Sequence, residues 1–184
     1  MRHYLRGAAL GLALAAGIST LAFAEVKQLG ANATSQDIIK GLTPAPGTPA
    51  LKFRGLRVLN SNPAAATEAP APAVAVDIKF ALNSAVLSDE AKQLVKQIAV
   101  AMQSPQLKTY HFLLEGHTDT TGKPAYNLAL SKQRAQAVRA YLVKEFGVEP
   151  GRLDAVGRGE EALLDPANPE SAVNRRVQIV NLGQ

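Results

Sequence analysis

The chain of 184 residues contains no cysteine and no tryptophan, and aromatic residues make up 5% of it. Without cysteine it is not a disulfide scaffold, and it cannot carry a lipid on an N-terminal cysteine. Its fold must therefore depend on an apolar core. The formal charge of +5 is small, and no Arg/Lys run is interleaved with aromatic residues. Both features argue against nucleic acid as a partner.

Acidic residues are absent from the first 24 residues, which begin with Arg2 and Arg6. An unbroken apolar stretch follows over 7–18, and the sequence Ala-Phe-Ala at 22–24 has the form of a cleavage site. The stretch is shorter than the roughly 20 residues that a membrane span needs. We interpret 1–24 as a cleaved signal peptide, with an uncleaved anchor as the alternative. No later stretch resembles a span, so the mature chain is predicted to have none.

The next segment, 25–73, is rich in proline and alanine and includes the tract NPAAATEAPAPA. This composition favours an extended, flexible chain without a core. Two islands without proline interrupt it. SQDIIKGL at 35–42 is predicted to form a short helix, with Ser35 or Asp37 near its start, and LKFRGLRVLN at 51–60 a short strand. The segment is either a spacer or a docking segment, for an envelope protein or for the domain itself.

From Val74 to the end at 184 the sequence alternates between strand-like and helix-like patterns. One helix is predicted to open at Ser88, a good N-cap residue, and the other at Pro124, ending at Gly147. The strands are predicted over 74–82, 108–116, 152–159 and 174–182. The order βαβαββ predicts an α+β domain with one mixed sheet and helices on one face.

The second predicted helix carries polar residues inside its apolar face. At about 100° per residue, Asn127, Ser131 and Arg134 fall on one track of that face. Arg134 either extends along the edge of the face to reach solvent or lies inside a cleft. Asp119 precedes the helix at the end of a predicted strand. A carboxylate and a guanidinium lining one cleft could bind a zwitterion, with the ammonium at Asp119 and the carboxylate at Arg134.

The stretch GHTDTTGKPAYNLALSKQRAQAVRAYL resembles the signature of the OmpA-like C-terminal domain, a family that includes the peptidoglycan-associated lipoprotein and the flagellar stator proteins. The resemblance extends to FALNSAVLSDEA, VGRGEEALL and NRRVQI, and covers about 74–182. It implies non-covalent binding of peptidoglycan through the diaminopimelate of the stem peptide. It also implies a periplasmic location, at the outer membrane or the cell wall.

The resemblance implies a set of binding residues. Asp119 and Arg134 have the spacing of the Asp and Arg that clamp diaminopimelate in the family. Asn127 corresponds to a loop asparagine and Leu130 to a cleft-lining position. The remaining predicted binding residues are Phe80, Asn83 and Arg175. Arg175 and Arg176 match the terminal NRR motif, which either supports the site electrostatically or holds the last strand. The sequence departs from the family at Ala81, where the family often has aspartate.

No enzyme site is predicted. His111 and His117 are separated by a glycine turn, so shared metal coordination with Asp119 is not expected. Ser131 has no local histidine to activate it, and Glu160 and Glu161 are expected to be solvated. We therefore predict a non-enzymatic protein without catalytic residues, metal or cofactor. The alternative function is a periplasmic protein–protein docking module that does not bind the wall.

Overall fold

The computed structural model describes residues 26–45, 71–78, 80 and 83–184. The predicted signal peptide 1–24, the predicted strand 51–60 and Ala81 lie outside the described residues. None of the described helices is long and apolar enough to cross a membrane.

Five strands and three α-helices make up the described chain. In chain order they are β1 (Lys27–Leu29), α1 (Ser35–Leu42), β2 (Ala73–Val76), α2 (Asp89–Met102), β3 (His111–His117), α3 (Pro124–Phe146), β4 (Leu153–Gly159) and β5 (Val177–Gly183).

All five strands belong to one mixed sheet with the order β1-β2-β5-β3-β4. The last strand, β5, is antiparallel to both of its neighbours, so that Ile179 pairs with Val74 on one side and Leu114 on the other. The two outer pairs, β1 with β2 and β3 with β4, are parallel. The predicted α+β architecture with a mixed sheet is confirmed.

Local signals set the ends of α2 and α3 where the sequence predicts them. The Ser88 side chain accepts a hydrogen bond from the Ala91 amide and caps α2. Pro124 is at the start of α3, where its missing N–H costs nothing, and Gly147 ends the helix in the left-handed conformation at φ 66°. These residues act within one turn of chain, so the sequence alone specifies them.

The core lies between the helices and one face of the sheet. From α2 it takes the predicted face of Leu94, Val95, Ile98 and Met102, all buried. From the central strands it takes alternate residues, which point to the same side of a sheet. These are Val74, Val76, Phe112, Leu114, Val177 and Ile179.

The N-terminal segment contributes two elements to the same domain. β1 extends the sheet as an edge strand, and α1 buries Ile38 and Leu42 in the core. The cap of α1 is Thr34, one residue before the predicted start: its hydroxyl accepts from the Asp37 amide, and the Asp37 carboxylate accepts from the Thr34 amide. Residues 26–45 thus pack on the domain itself, one of the possibilities left open for 25–73. The structured unit therefore extends N-terminal of Val74, the predicted domain start.

Candidate functional site

Two glycines let α3 lie unusually close to the sheet. A Cβ on Gly116 would lie 2.1 Å from the Ser131 carbonyl oxygen, and one on Gly157 would lie 2.6 Å from the Ser131 hydroxyl oxygen. That hydroxyl donates to the Leu128 carbonyl and accepts from the Gly159 amide, both at 2.9 Å. The polar Ser131 within the apolar face of α3 is thus explained by its structural role: its hydroxyl joins α3 to β4.

Arg134 lies inside the fold and does not extend into solvent, since it is only 8% exposed. Its Nε donates to the Ser84 carbonyl oxygen at 3.1 Å, and its guanidinium carbon lies 5.1 Å from the centre of the Phe80 ring. Among the described residues no carboxylate forms a salt bridge with it. Burial, followed by the charge of Arg175, lowers the pKa of Arg134. The side chain thus carries a desolvated charge without an ionic partner in the described structure.

Asp119 lies just beyond β3 and is 7% exposed. Its Oδ2 accepts from Arg175 Nη1 at 2.6 Å, and its Oδ1 accepts from the Thr121 amide at 3.0 Å. An ionised carboxylate can accept about four hydrogen bonds, so these two leave room for a further donor. Two roles were considered for the NRR motif: electrostatic support of the site, or holding of the last strand. The ion pair with Asp119 is consistent with the first role for Arg175.

Asn127, in the first turns of α3, binds the backbone of the loop that contains Asp119. Its Nδ2 lies within hydrogen-bonding distance of the carbonyl oxygens of Asp119, at 3.4 Å, and Thr121, at 3.2 Å. The shortest contact of Nδ2, at 2.7 Å, is with the Glu160 carboxylate. Asn127 therefore positions the loop, and Glu160, expected to be solvated, is one of its anchors.

One cavity of about 420 Å³, called the cleft below, brings together all seven binding residues predicted from the sequence. They are Phe80, Asn83, Asp119, Asn127, Leu130, Arg134 and Arg175. Three further lining residues, Thr118, Thr121 and Tyr126, were not predicted. Tyr126 is an exposed aromatic residue at the beginning of α3. The signal available in the sequence was an aromatic residue two positions after Pro124, in a chain with few aromatic residues.

Asn174 holds the loop that precedes Arg175. Its Oδ1 accepts from the amides of Leu164 and Asp165, at 2.8 and 2.9 Å. Its Nδ2 lies 3.1 Å from the carbonyl oxygens of Asn168 and Pro169. Residues 172–174 form a 3₁₀ turn, and β5 begins at Val177, three residues later than predicted. This side chain fixes Arg175 opposite Asp119.

His117 is buried at the end of β3. In the described part of the chain neither ring nitrogen has a hydrogen-bond partner. Burial, followed by the charges of Arg176 and Arg158, lowers the pKa of His117 to about 3. The folded protein therefore holds this ring neutral at pH values where the unfolded chain protonates it.

We expect this difference to make the protein acid-sensitive. The unfolded histidine binds a proton below about pH 6.5 and the folded one does not, so stability falls as the pH falls. Between about pH 6.5 and pH 5, the free energy of unfolding should decrease by about 1.6 kcal/mol from this residue. Urea unfolding at a series of pH values measures it. In His117→Gln the decrease should be largely absent, and an unchanged slope would contradict the assignment.

Among the described residues no group of three or more His, Asp and Glu side chains could hold a metal ion.

Comparison with known proteins gives one family and several relatives. The model of the OmpA family matches residues 79–176. Outer membrane porin F of Pseudomonas aeruginosa is 44% identical over 108 residues, which cover 57% of this chain and 30% of that protein. The peptidoglycan-associated lipoprotein of Pseudomonas putida is 37% identical over 94 residues, covering 50% of this chain and 56% of the lipoprotein. The chain thus spans less than two thirds of the length of both relatives.

The fold recurs in solved structures. The OmpA-like domain of FopA1 from Francisella tularensis superposes with a TM-score of 0.51 at 20% identity, covering 74% of this chain and 94% of that one. At this identity the likeness concerns the fold alone.

Proposed function

Because the chain belongs to the OmpA family, we propose that it binds peptidoglycan non-covalently through the diaminopimelate of the stem peptide, and so anchors or stabilises the cell envelope. The observation that carries the proposal is that a buried guanidinium and a buried carboxylate, Arg134 and Asp119, line the same cleft without forming a salt bridge with each other. Arg134 has no carboxylate partner among the described residues, and Asp119 keeps acceptor capacity. The name of the Pseudomonas putida relative, a peptidoglycan-associated lipoprotein, supports the same ligand class.

The free end of diaminopimelate carries an ammonium and a carboxylate on one carbon. Arg134 offers its outer guanidinium nitrogens to the carboxylate, since its Nε is already bound to Ser84. Asp119 accepts from the ammonium with the capacity that Arg175 and Thr121 leave. A zwitterion thereby gives Arg134 a carboxylate partner and gives Asp119 a second cationic partner beside Arg175, whereas a simple amine or a simple acid supplies only one of these two contacts.

The cleft binds and does not catalyse. The Ser131 hydroxyl is bound to α3 and β4, and Glu160 is bound to Asn127. Neither is left as an activated nucleophile or a free acid beside the ligand. The relatives are outer-membrane and peptidoglycan-associated proteins, so the chain functions in the periplasm, at the outer membrane or the cell wall.

Removing the guanidinium tests the proposal. Charge-assisted hydrogen bonds contribute about 1.5–3 kcal/mol each, so Arg134→Ala should weaken binding at least tenfold. Asp119→Ala should do the same. The measurement is co-sedimentation of each protein with purified peptidoglycan that contains diaminopimelate.

The matched control is Lys132→Ala, which removes an exposed positive charge from the same helix. It should pellet like the wild type, and thermal unfolding should show that all variants are folded. Equal pelleting of Arg134→Ala and wild type would remove Arg134 from the site. A wild-type protein that stays in solution would favour the protein-docking alternative.

A further inference from the structure

A second cavity, of about 580 Å³, adjoins the cleft; it is called the rear pocket below. It shares Phe80, Arg134 and Arg175 with the cleft and extends past the ends of β1, β2 and β3. Its other polar lining includes Arg176 and His117. The two cavities therefore adjoin at the three shared side chains.

Arg176 in the rear pocket is buried, at 7% exposure, without an ionic partner among the described residues. Its Nη2 donates to the Ala162 carbonyl at 3.0 Å, and two longer contacts of 3.4 Å join Nη1 to the Asn174 carbonyl and Nη2 to the Gln178 side chain. Its Nε has no partner in the described structure. Burial lowers the pKa of Arg176 to about 10, although the nearby Glu115 carboxylate acts in the opposite direction. Leaving a buried cation in this state is costly, and a bound anion would remove the cost.

His117 adds a second unused donor to the same pocket. A neutral imidazole carries one N–H and one acceptor nitrogen, and neither ring nitrogen is bonded within the described residues. The ring is 2% exposed and lines the pocket. A donor that lines the same pocket as Arg175 and Arg176 suits an oxygen of an anionic group.

The remaining lining residues indicate which kind of chemical group is attached to the bound anion. Three arginines line the pocket, against one lining carboxylate, Asp77, and the Asp119 carboxylate held by Arg175. The remaining wall is mostly apolar, from Leu29, Val76, Ile78, Leu164 and Val173 among others. This combination fits a carboxylate on a small apolar group.

We propose that the rear pocket binds the terminal carboxylate of the alanine that follows diaminopimelate in an uncross-linked stem peptide. This inference rests on the proposed function, because diaminopimelate in the cleft brings its neighbour to the shared arginines. The carboxylate accepts hydrogen bonds from Arg176 and His117, and the alanine methyl packs against the apolar wall. The protein then distinguishes stems with a free terminus from stems whose terminus is used in a cross-link.

The first test changes only the ligand. Calorimetric titration of the wild-type protein would compare three diaminopimelate tetrapeptides: the free acid, the amide of the terminal alanine, and a peptide amidated on the D-glutamate instead. The terminal amide should bind at least about tenfold more weakly than the free acid, as expected for one lost charge-assisted hydrogen bond. The D-glutamate amide should bind like the free acid.

The second test changes the pocket. Arg176→Gln should bind acid and terminal amide with similar affinity while still binding diaminopimelate. Arg176 also donates to the Ala162 carbonyl, so its replacement can disturb the local fold, and a second variant is needed. Val173→Glu places a carboxylate in the pocket from an exposed lining position. It should weaken binding of the acid more than that of the amide. The control is Val86→Glu, at an exposed position outside the pocket.

The outcomes separate the two proposals. If acid and terminal amide bind equally well, the rear-pocket assignment is overturned and the proposed function stands. If the affinity falls for the peptide amidated on D-glutamate and not for the terminal amide, the pocket binds the D-glutamate carboxylate, and the assignment to the terminal alanine is overturned. If inorganic phosphate binds the wild type, but not Val173→Glu, while the peptides bind alike, the pocket is a site for free phosphate. If no tetrapeptide binds, both proposals fail.

Discussion

Replacing Gly116 by alanine is expected to destabilise the protein by more than about 3 kcal/mol. The new methyl carbon would lie 2.1 Å from the Ser131 carbonyl oxygen and 2.8 Å from its carbonyl carbon. Both atoms belong to the backbone of α3, so no side chain can rotate away, and the helix has to move from the sheet. Overpacking a well-filled site typically costs about 1–3 kcal/mol, and a backbone clash lies at or beyond the upper end. Urea unfolding gives the change in free energy.

Gly151→Ala is the matched control. A Cβ at this position would meet nothing closer than 4.0 Å, and the backbone is outside the left-handed region. This variant should stay within about 1 kcal/mol of the wild type. If Gly116→Ala were equally mild, the close contact between α3 and β3 would have to be wrong. Because α3 carries Arg134 and Asn127, a displaced helix should also weaken peptidoglycan binding.

Deleting residues 26–45 is expected to destabilise the protein by more than about 5 kcal/mol. The deletion removes β1 and α1 and exposes the core that Leu29, Ile38 and Leu42 cover. Truncating one buried leucine already costs about 2–5 kcal/mol. The deletion also leaves the buried Asn181 amide without the Leu42 carbonyl, to which it donates at 2.8 Å. Urea or thermal unfolding of the otherwise full-length chain measures the loss.

Point variants in α1 provide the control for that deletion. Leu42→Ala, at a fully buried position, should cost about 2–5 kcal/mol, and Lys40→Ala, on the exposed face of the same helix, should cost little. If the deleted protein unfolded at the same urea concentration as the wild type, the domain would be independent of α1. The domain would then be fully stable from Val74 onward, as the predicted boundary implies.

Interactions within one or two helical turns were determined by the sequence alone. The caps at Ser88 and Gly147 and the proline at 124 act on neighbouring residues, so their effect can be predicted without knowing the fold. The polar track on α3 follows from helix geometry in the same way. Seven candidate binding residues could be named from motif resemblance, and all seven line the same cleft.

Contacts between distant parts of the chain were decided by the tertiary structure. The ion pair of Asp119 with Arg175 joins residues 56 positions apart, and the bond from Asn181 to Leu42 spans 139. No local pattern encodes such a pairing, because it depends on which strands become neighbours. The same reason explains why α1 looked like part of a spacer. An amphipathic helix of eight residues is too short to be stable alone, and it gains its stability from the core formed by residues far along the chain.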